Sequence, residues 1–423
     1  MSSRIPISTL NTGSGPRDSK PESKRLESIG PNLTSTEPFT VTQIVFSSIP
    51  VRADTHWYFV EVSDPDGVTG VAEFTHGEQS MATSRAMAEM ADEIRGEPIE
   101  DEASLPAMLG LSVALLQGDR VLAAAVSGLR SAILDGQAQR AGVSLREMLA
   151  ADEGQVPDSV ELYANINRSM LPDDNGPVDR SPQAFAEMAG RAVEDGFHTI
   201  KCAPFDECRA PFDSRGLPPE AAAGLARIAA AREAIGPDVT LLVDCHSRFD
   251  LESALALEPE LAGPGIGWFE EPVGYRESRS ELARITDAAS MPVAGAETAY
   301  GVELFESLIA DRVVDVIMPD AKYCGGPGEA VRIGRSLEKL RPGSVSMHSP
   351  SGPISLLASA HATAAFAGSR PLEHAINEVD WRATTIDPAE HVHDGRLYLP
   401  SGPGLGAGLN QSLISKSGRR WTI

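Results

Sequence analysis

Apolar and polar positions first fall into a regular rhythm at Phe39. FTVTQIVFSSIP and the following HWYFVEVSDPDGVTGVAEFTHG alternate apolar and polar residues around an Asp66-Gly67 turn signal, which predicts a meander of about three strands. From Ser80 to about Ala151 the spacing becomes helical, in SMATSRAMAEMADEIRG and DRVLAAAVSGLRSAILDGQAQRAG. From Val160 short apolar runs recur: VELYANI, HTIKCAP, VTLLVDCH, IGWFEEPV, MPVAGAET, VVDVIMPD, SVSMHSP and PLEHAI. Helical segments such as PQAFAEMAGRAVEDG and PGEAVRIGRSLEKL separate most of them. Runs this uniformly apolar suit a parallel sheet covered on both faces. Eight such strands in about 215 residues predict a (β/α) barrel. Irregular Gly/Pro-rich sequence then replaces the last helix.

These textures divide the chain into a tail (1–36), an α+β domain (37–155), a barrel (156–376) and a C-terminal segment (377–423) expected to return to the first domain. The tail is rich in Ser, Pro, Gly and Lys. It carries five basic residues (Arg4, Arg17, Lys20, Lys24, Arg25) against three acidic ones (Asp18, Glu22, Glu27), and its composition predicts disorder.

Charge narrows the partners. With 36 Lys and Arg against 60 Asp and Glu the formal net charge is −24, which disfavours nucleic acid and anionic membrane surfaces. There is no apolar run long enough to span a bilayer and no apolar core of a secretory signal near the N-terminus, so a cytoplasmic location is expected. Four cysteines (202, 208, 245, 324) do not make a disulfide framework, and Cys202 with Cys208 lacks the partners of a zinc site.

Chemistry in a barrel sits at the C-terminal ends of the strands. Asp244, Glu270, Glu297, Asp320, His348 and Glu373 end or lie in successive strands from the third to the eighth, spaced by 26, 27, 23, 28 and 25 residues. Each interval is one strand–helix unit, so these side chains converge on one mouth. Alternation places Asp244 and His246 on the same side, and turns Glu271 outward. Three carboxylates from neighbouring strands repel one another. A divalent cation with all-oxygen ligation, Mg²⁺, resolves that conflict; pairing with nearby Arg or Lys is the alternative.

The motifs VDCHSRF, WFEEPV, AGAET, VIMPDAKYCGG and SMHSP, in this order and spacing, resemble the enolase superfamily, in its mandelate racemase-like branch, over residues 38 to about 400. The resemblance implies a modified (β/α)₇β TIM-type barrel with an N-terminal α+β capping domain, a homo-oligomer, and one Mg²⁺ held by Asp244, Glu270 and Glu297. It also implies abstraction of the proton next to a substrate carboxylate, giving an enediolate held on the metal. A carbon acid this weak needs a preorganised positive charge and a positioned base. His348 is the candidate base, with Asp320 to orient it.

His246, two residues after the first ligand, resembles the general acid of acid-sugar dehydratases, which yield a 2-keto-3-deoxy acid; a structural role is the alternative. Lys201 ends strand two where the branch commonly shows Lys-x-Lys, but Thr199 replaces the first lysine. Lys201 opposite His348 would permit 1,1-proton transfer, hence racemisation, epimerisation or cycloisomerisation; contact with the substrate carboxylate and a role as base in a dehydration assisted by His348 are the other options. Candidate substrate contacts are Glu373, with Glu378 competing for the same role, and Arg248, which otherwise neutralises local acidity. Lys322 is read as a rim salt bridge or a substrate contact. Arg52 and His56 lie in a loop, IPVRADTHW, expected to gate the mouth, where either would read a substrate hydroxyl or second carboxylate; solvated loop residues are the alternative. The preferred reading is a Mg²⁺-dependent dehydratase of an aldonate or aldarate. A catalytically silent metal-binding barrel is the remote alternative.

Overall fold

The computed structural model describes residues 38–423, except 54, 151–154, 172–177 and 214. The tail expected to be disordered lies outside the described residues. Among those described, no helix is long and apolar enough to cross a membrane.

The N-terminal alternation forms an antiparallel meander of Gln43–Arg52, Thr55–Ser63 and Thr69–Glu73. Its second turn is set by Asp64, whose Oδ1 accepts from the amides of Asp66 (3.0 Å) and Val68 (2.9 Å). The chain's last strand, Arg419–Trp421, adds antiparallel to the free edge of Gln43–Arg52. The helix Arg120–Ala141 lies against this sheet. Asp119 caps its N-terminus, and Gly142 ends it with a φ of 68°. Residues Ala123–Ala138 of this helix are all buried, because the sheet covers one side and the helix Gly326–Leu340 the other. Gly70 permits the close approach: a Cβ there would stand 1.9 Å from the Ala132 carbonyl oxygen.

The second half carries six parallel strands paired in chain order: Ser159–Asn165, Thr199–Cys202, Thr240–Asp244, Ile266–Glu270, Val293–Gly295 and Val316–Ile317. Leu372–Ala375 pairs in parallel with the first of them. The run SVSMHSP, expected as a seventh strand, is held by single bonds. On one side the Ile317 amide donates to Ser344 O (2.8 Å), and the amides of Ser346 and His348 donate to Ile317 O (3.1 Å) and Pro319 O (3.0 Å). On the other side the Glu373 amide donates to Met347 O (3.2 Å). Pro319 has no N–H to extend the ladder, which explains why regular pairing there shrinks to one bridge, Ile317–Val345.

Side chains alternate across the parallel sheet. Ile200, Leu241, Val243, Phe269, Val293 and Ile317 face the helices in the large core. Tyr163, Leu242, Trp268, Ala294, Val316 and Met318 form a separate apolar cluster on the opposite face.

The C-terminal segment is anchored by buried polar groups. His361 Nδ1 accepts from the Arg146 amide (3.0 Å) and its Nε2 donates to Leu405 O (3.2 Å). Burial pushes His361 down to about 3 from an ordinary 6.5. The folded ring is therefore neutral while the unfolded ring gains a proton below about 6.5, so its stabilisation is complete above that pH and fades as pH falls toward about 3. Urea titrations should show the stability difference between wild type and His361→Gln shrinking from pH 7 to pH 5, by up to about 1.4 kcal/mol per pH unit once below 6.5. A difference independent of pH would contradict this account.

Candidate functional site

The site is the next layer along the same strands. Two residues beyond the apolar cluster, Tyr163 leads to Asn165, Leu242 to Asp244, Trp268 to Glu270 and Met318 to Asp320. Just past the fifth strand Ala296 takes a left-handed turn (φ 73°), and Glu297 rather than residue 296 joins the layer. Lys201 and Glu373 complete it from the second and eighth positions. Asp244, Glu270, Asp320, Lys201 and Glu373 are all at most 4% exposed, so every charge needs a partner.

Lys201 is the hub. Its Nζ lies 2.8 Å from Glu270 Oε1, 2.8 Å from Glu373 Oε1 and 3.9 Å from Asp244 Oδ2. Glu270 Oε2 also accepts from the Trp268 indole (3.0 Å), and Glu373 Oε1 from Asn165 Nδ2 (2.8 Å). Burial, with Asp244 and Glu373 adding like charge, pushes the Glu270 carboxyl up to about 8 in spite of Lys201. Glu373 Oε2 accepts from the Ser349 amide (3.0 Å) and lies 3.6 Å from His348 Nε2. Lys201 and His348 thus stand on the two oxygens of one carboxylate.

Each histidine sits between carboxylates or against one. His348 Nδ1 is 2.8 Å from Asp320 Oδ2 and its Nε2 is 3.0 Å from Glu297 Oε2. Burial opposes the imidazolium, but Glu297, Glu373 and Asp320 together hold His348 well above the ordinary histidine range. Burial likewise opposes the Glu297 carboxylate, yet His348, Lys201 and His246 keep it down at about 2. His246 Nε2 lies 2.8 Å from Asp244 Oδ2, whose charge lifts it to about 9. Asp320 Oδ2 accepts from Lys322 Nζ as well (2.6 Å), so His348 and Lys322 share one oxygen. An imidazole backed by a buried carboxylate can move a proton at its other nitrogen, and the layer holds two of them.

A family model described as "Enolase C-terminal domain-like" matches residues 184–413, more than half of the chain. The chain belongs to the enolase superfamily. Among its relatives, a D-galactarolactone cycloisomerase of Agrobacterium fabrum is 32% identical over 311 residues, covering 71% of this chain and 75% of that protein. A D-galactonate dehydratase of Pectobacterium atrosepticum is 25% identical over 401 residues, covering 90% and 96%. A mandelate racemase/muconate lactonizing enzyme-like protein from Rubrobacter xylanophilus superposes with a TM-score of 0.77 at 25% identity, over 90% of this chain and 98% of that one.

Within this enolase-superfamily chain several candidates stand elsewhere than alternation predicts. The third strand ends at Asp244; His246 and Ser247 have φ of 48° and 55°, so His246 returns to Asp244 through a left-handed turn and is exposed. Glu271 does not turn outward. Its φ of 37° brings Oε1 to the Ala296 amide (3.0 Å) and Oε2 to Ser247 Oγ (3.3 Å), and burial with Glu297 and Asp244 pushes it up to about 7. Lys322 is not at the rim: it lies in a turn, 4% exposed, against Asp320.

Four expected substrate contacts are held by protein groups. Arg248 Nη1 donates to Asp206 O (2.9 Å) and Cys208 O (3.3 Å). Glu378 pairs with Arg168 (2.9 Å). Arg52 donates to Glu378 O (3.0 Å) and Leu171 O (2.9 Å), tying its loop to two others. His56 packs on Tyr58 (ring centroids 6.1 Å), while buried Trp57, on the other face of the strand, meets Trp381 (5.5 Å). Asn165 and Trp268 escaped the sequence reading, although Asn165 was signalled as the polar residue ending an apolar first strand.

Lys201→Met leaves Glu270 and Glu373 buried without their shared ammonium. In metal-free buffer at pH 7.5 the variant should lose about 3–5 kcal/mol of unfolding free energy by urea titration. A loss below about 1 kcal/mol would show that other groups neutralise these carboxylates.

Proposed function

We propose that this enolase-superfamily chain dehydrates a sugar acid, an aldonate or aldarate, to a 2-keto-3-deoxy acid. The observation that carries the reading is the pair of carboxylate-backed imidazoles, His348 on Asp320 and His246 on Asp244, in one polar layer. Loss of water across two carbons needs a base for the α-proton and an acid for the departing β-hydroxyl. Once it has given up its proton and its contact with Glu297, His348 Nε2 takes the α-proton, Asp320 at Nδ1 fixes the ring and stabilises its charge, and His246, backed by Asp244 at Nε2, delivers a proton from Nδ1 to the leaving hydroxyl. The enol then tautomerises. Asn165 and Lys201 hold Glu373 in place to meet the substrate carboxylate.

Two buried carboxylates, Asp244 and Glu270, and the half-buried Glu297 offer oxygen ligands that fit Mg²⁺ in kind, and they are the residues that would hold it. Among the described residues no cluster of His, Cys, Asp and Glu is arranged to hold a metal. Lys201, His246 and His348 occupy the carboxylate oxygens instead, so loading requires these cations to let go. When bound, the ion supplies positive charge for the carboxylate end of the substrate.

The polar layer is best understood as the mouth of a (β/α)₇β barrel capped by residues 37–155. The pairing of Leu372–Ala375 with Ser159–Asn165 and the bonds on both sides of residues 344–348 support closure. A second reading is favoured by Lys201 and His348 flanking Glu373, and by the cycloisomerase relative: 1,1-proton transfer on a carboxylate substrate.

Incubation with Mg²⁺ and a sugar-acid library in D₂O should give 2-keto acid. His348→Asn should abolish both product and α-deuterium incorporation, and His246→Asn should retain exchange while losing product by about 100-fold or more. Inverted, deuterated substrate without keto acid would favour the second reading. Full dehydration by His246→Asn would remove that residue as the acid.

A further inference from the structure

A cleft of about 420 Å³ opens beside the polar layer, and Glu271 and Glu297 are on its wall. Two arginines line it. Arg276 is engaged: Nε and Nη2 donate to Thr298 (3.4 and 2.6 Å), and Nη1 donates to Gln117 O. Arg120 is exposed and, among the described residues, makes no hydrogen bond or ion pair.

Its position is not one that helix stability selects. Arg120 opens the 22-residue helix Arg120–Ala141, where the dipole disfavours a cation. The adjacent Asp119 carboxylate is turned to its own backbone, accepting from the amides of Val121 (2.9 Å) and Leu122 (3.1 Å). The guanidinium therefore stands on a fixed base with its five donors free. It acts electrostatically on His76 and Tyr323, whose rings meet at 5.0 Å, and His76 is in turn within reach of Asp320 and Lys322. Burial pushes His76 down to about 4, so its ring is neutral, and Arg120 is the cation on this side that no carboxylate engages, Lys322 being paired with Asp320. Of the other acids on the cleft, Asp250 caps its helix by accepting from the Ser253 amide (2.9 Å), while Glu277 and Glu281, on the helix Tyr275–Ala288, add negative charge to the wall that the anion must avoid.

We propose that Arg120 is the specificity determinant for the far end of the substrate, where its planar fork binds a second carboxylate. Resting on the sugar-acid reading above, this selects aldarates over aldonates. A neutral terminal hydroxymethyl group would leave the guanidinium without its matching acceptor.

The test compares two hexarates, galactarate and glucarate, with the corresponding hexonates, galactonate and gluconate. Wild type, Arg120→Gln and Arg120→Lys, with saturating Mg²⁺, are titrated by calorimetry, and product is followed separately. Wild type should bind at least one hexarate about tenfold or more tighter than its hexonate. Arg120→Gln should erase that ratio and Arg120→Lys keep part of it, since one charge-assisted bond accounts for about a tenfold effect. Equal binding of the two classes by wild type, or a preference that survives in Arg120→Gln, overturns the assignment whatever the turnover. A preference that depends on Arg120, with no keto product from any acid, keeps the anion site and overturns the dehydratase reading. Failure of both classes to bind overturns both.

Discussion

Burying like charges in one layer is the constraint on which the rest of this molecule depends. Asp244, Glu270, Glu297, Asp320 and Glu373 lie together, and all but Glu297 are almost wholly buried. Lys201 and Lys322 supply two positive charges, and only if His246 and His348 are both protonated does the layer approach neutrality. Two imidazolium charges are the counterweight that the protein itself supplies to these carboxylates.

The surrounding structure keeps that layer in place through buried contacts between the N-terminal sheet and helices and the strand-end loops. Glu73, at the end of Thr69–Glu73, accepts from the amides of Gly352 (2.7 Å) and Ser355 (3.1 Å) at the start of the helix Pro353–Ala365, just past His348. The Gly325 amide donates to Ser127 Oγ (2.9 Å), and Gly325 and Gly326 (φ 117° and 86°) let the loop after Asp320 lie on the long helix. Arg130 of that helix pairs with Glu102 and with Glu329 (3.2 Å) of the next one. These buried ions specify how the parts meet more than how stable they are, because desolvation offsets much of their attraction.

What the sequence disclosed followed the strands and stopped where they stopped. Asp244, Glu270, Asp320 and Glu373 were legible because a two-residue side-chain period and a strand–helix repeat both pass through them. His246, Glu271 and Glu297 lie one or two residues beyond strand ends, where positive φ at residues 246, 271 and 296 replaces alternation. His246 and Glu297 reach the expected place by another route, and Glu271 reaches a different one. Lys322 makes the expected salt bridge, but a turn folds it back onto Asp320 and buries it instead of leaving it at the rim. Arg52, Arg248 and Glu378 end on carbonyls or a partner arginine, contacts between segments far apart in sequence that no local pattern encodes. Arg120 gave no signal, since only the packing of the long helix brings its first residue to the cleft.

The overall charge of −24 is compatible with an anionic substrate once local sums replace the global one. Fields at a few ångströms are set by the nearest groups, while exposed acids a Debye length away, about 8 Å at physiological ionic strength, are screened. Around the proposed substrate position the nearest groups are Lys201, His246, His348 and Lys322, with Arg120 on the adjoining cleft. Each of the first four already leans on a carboxylate, so together they hold an anion no more strongly than the carboxylates allow. Arg120 differs in making no ion pair among the described residues, although Asp250, Glu277 and Glu281 share its cleft. A second negative charge on the ligand therefore meets a guanidinium that no carboxylate already engages.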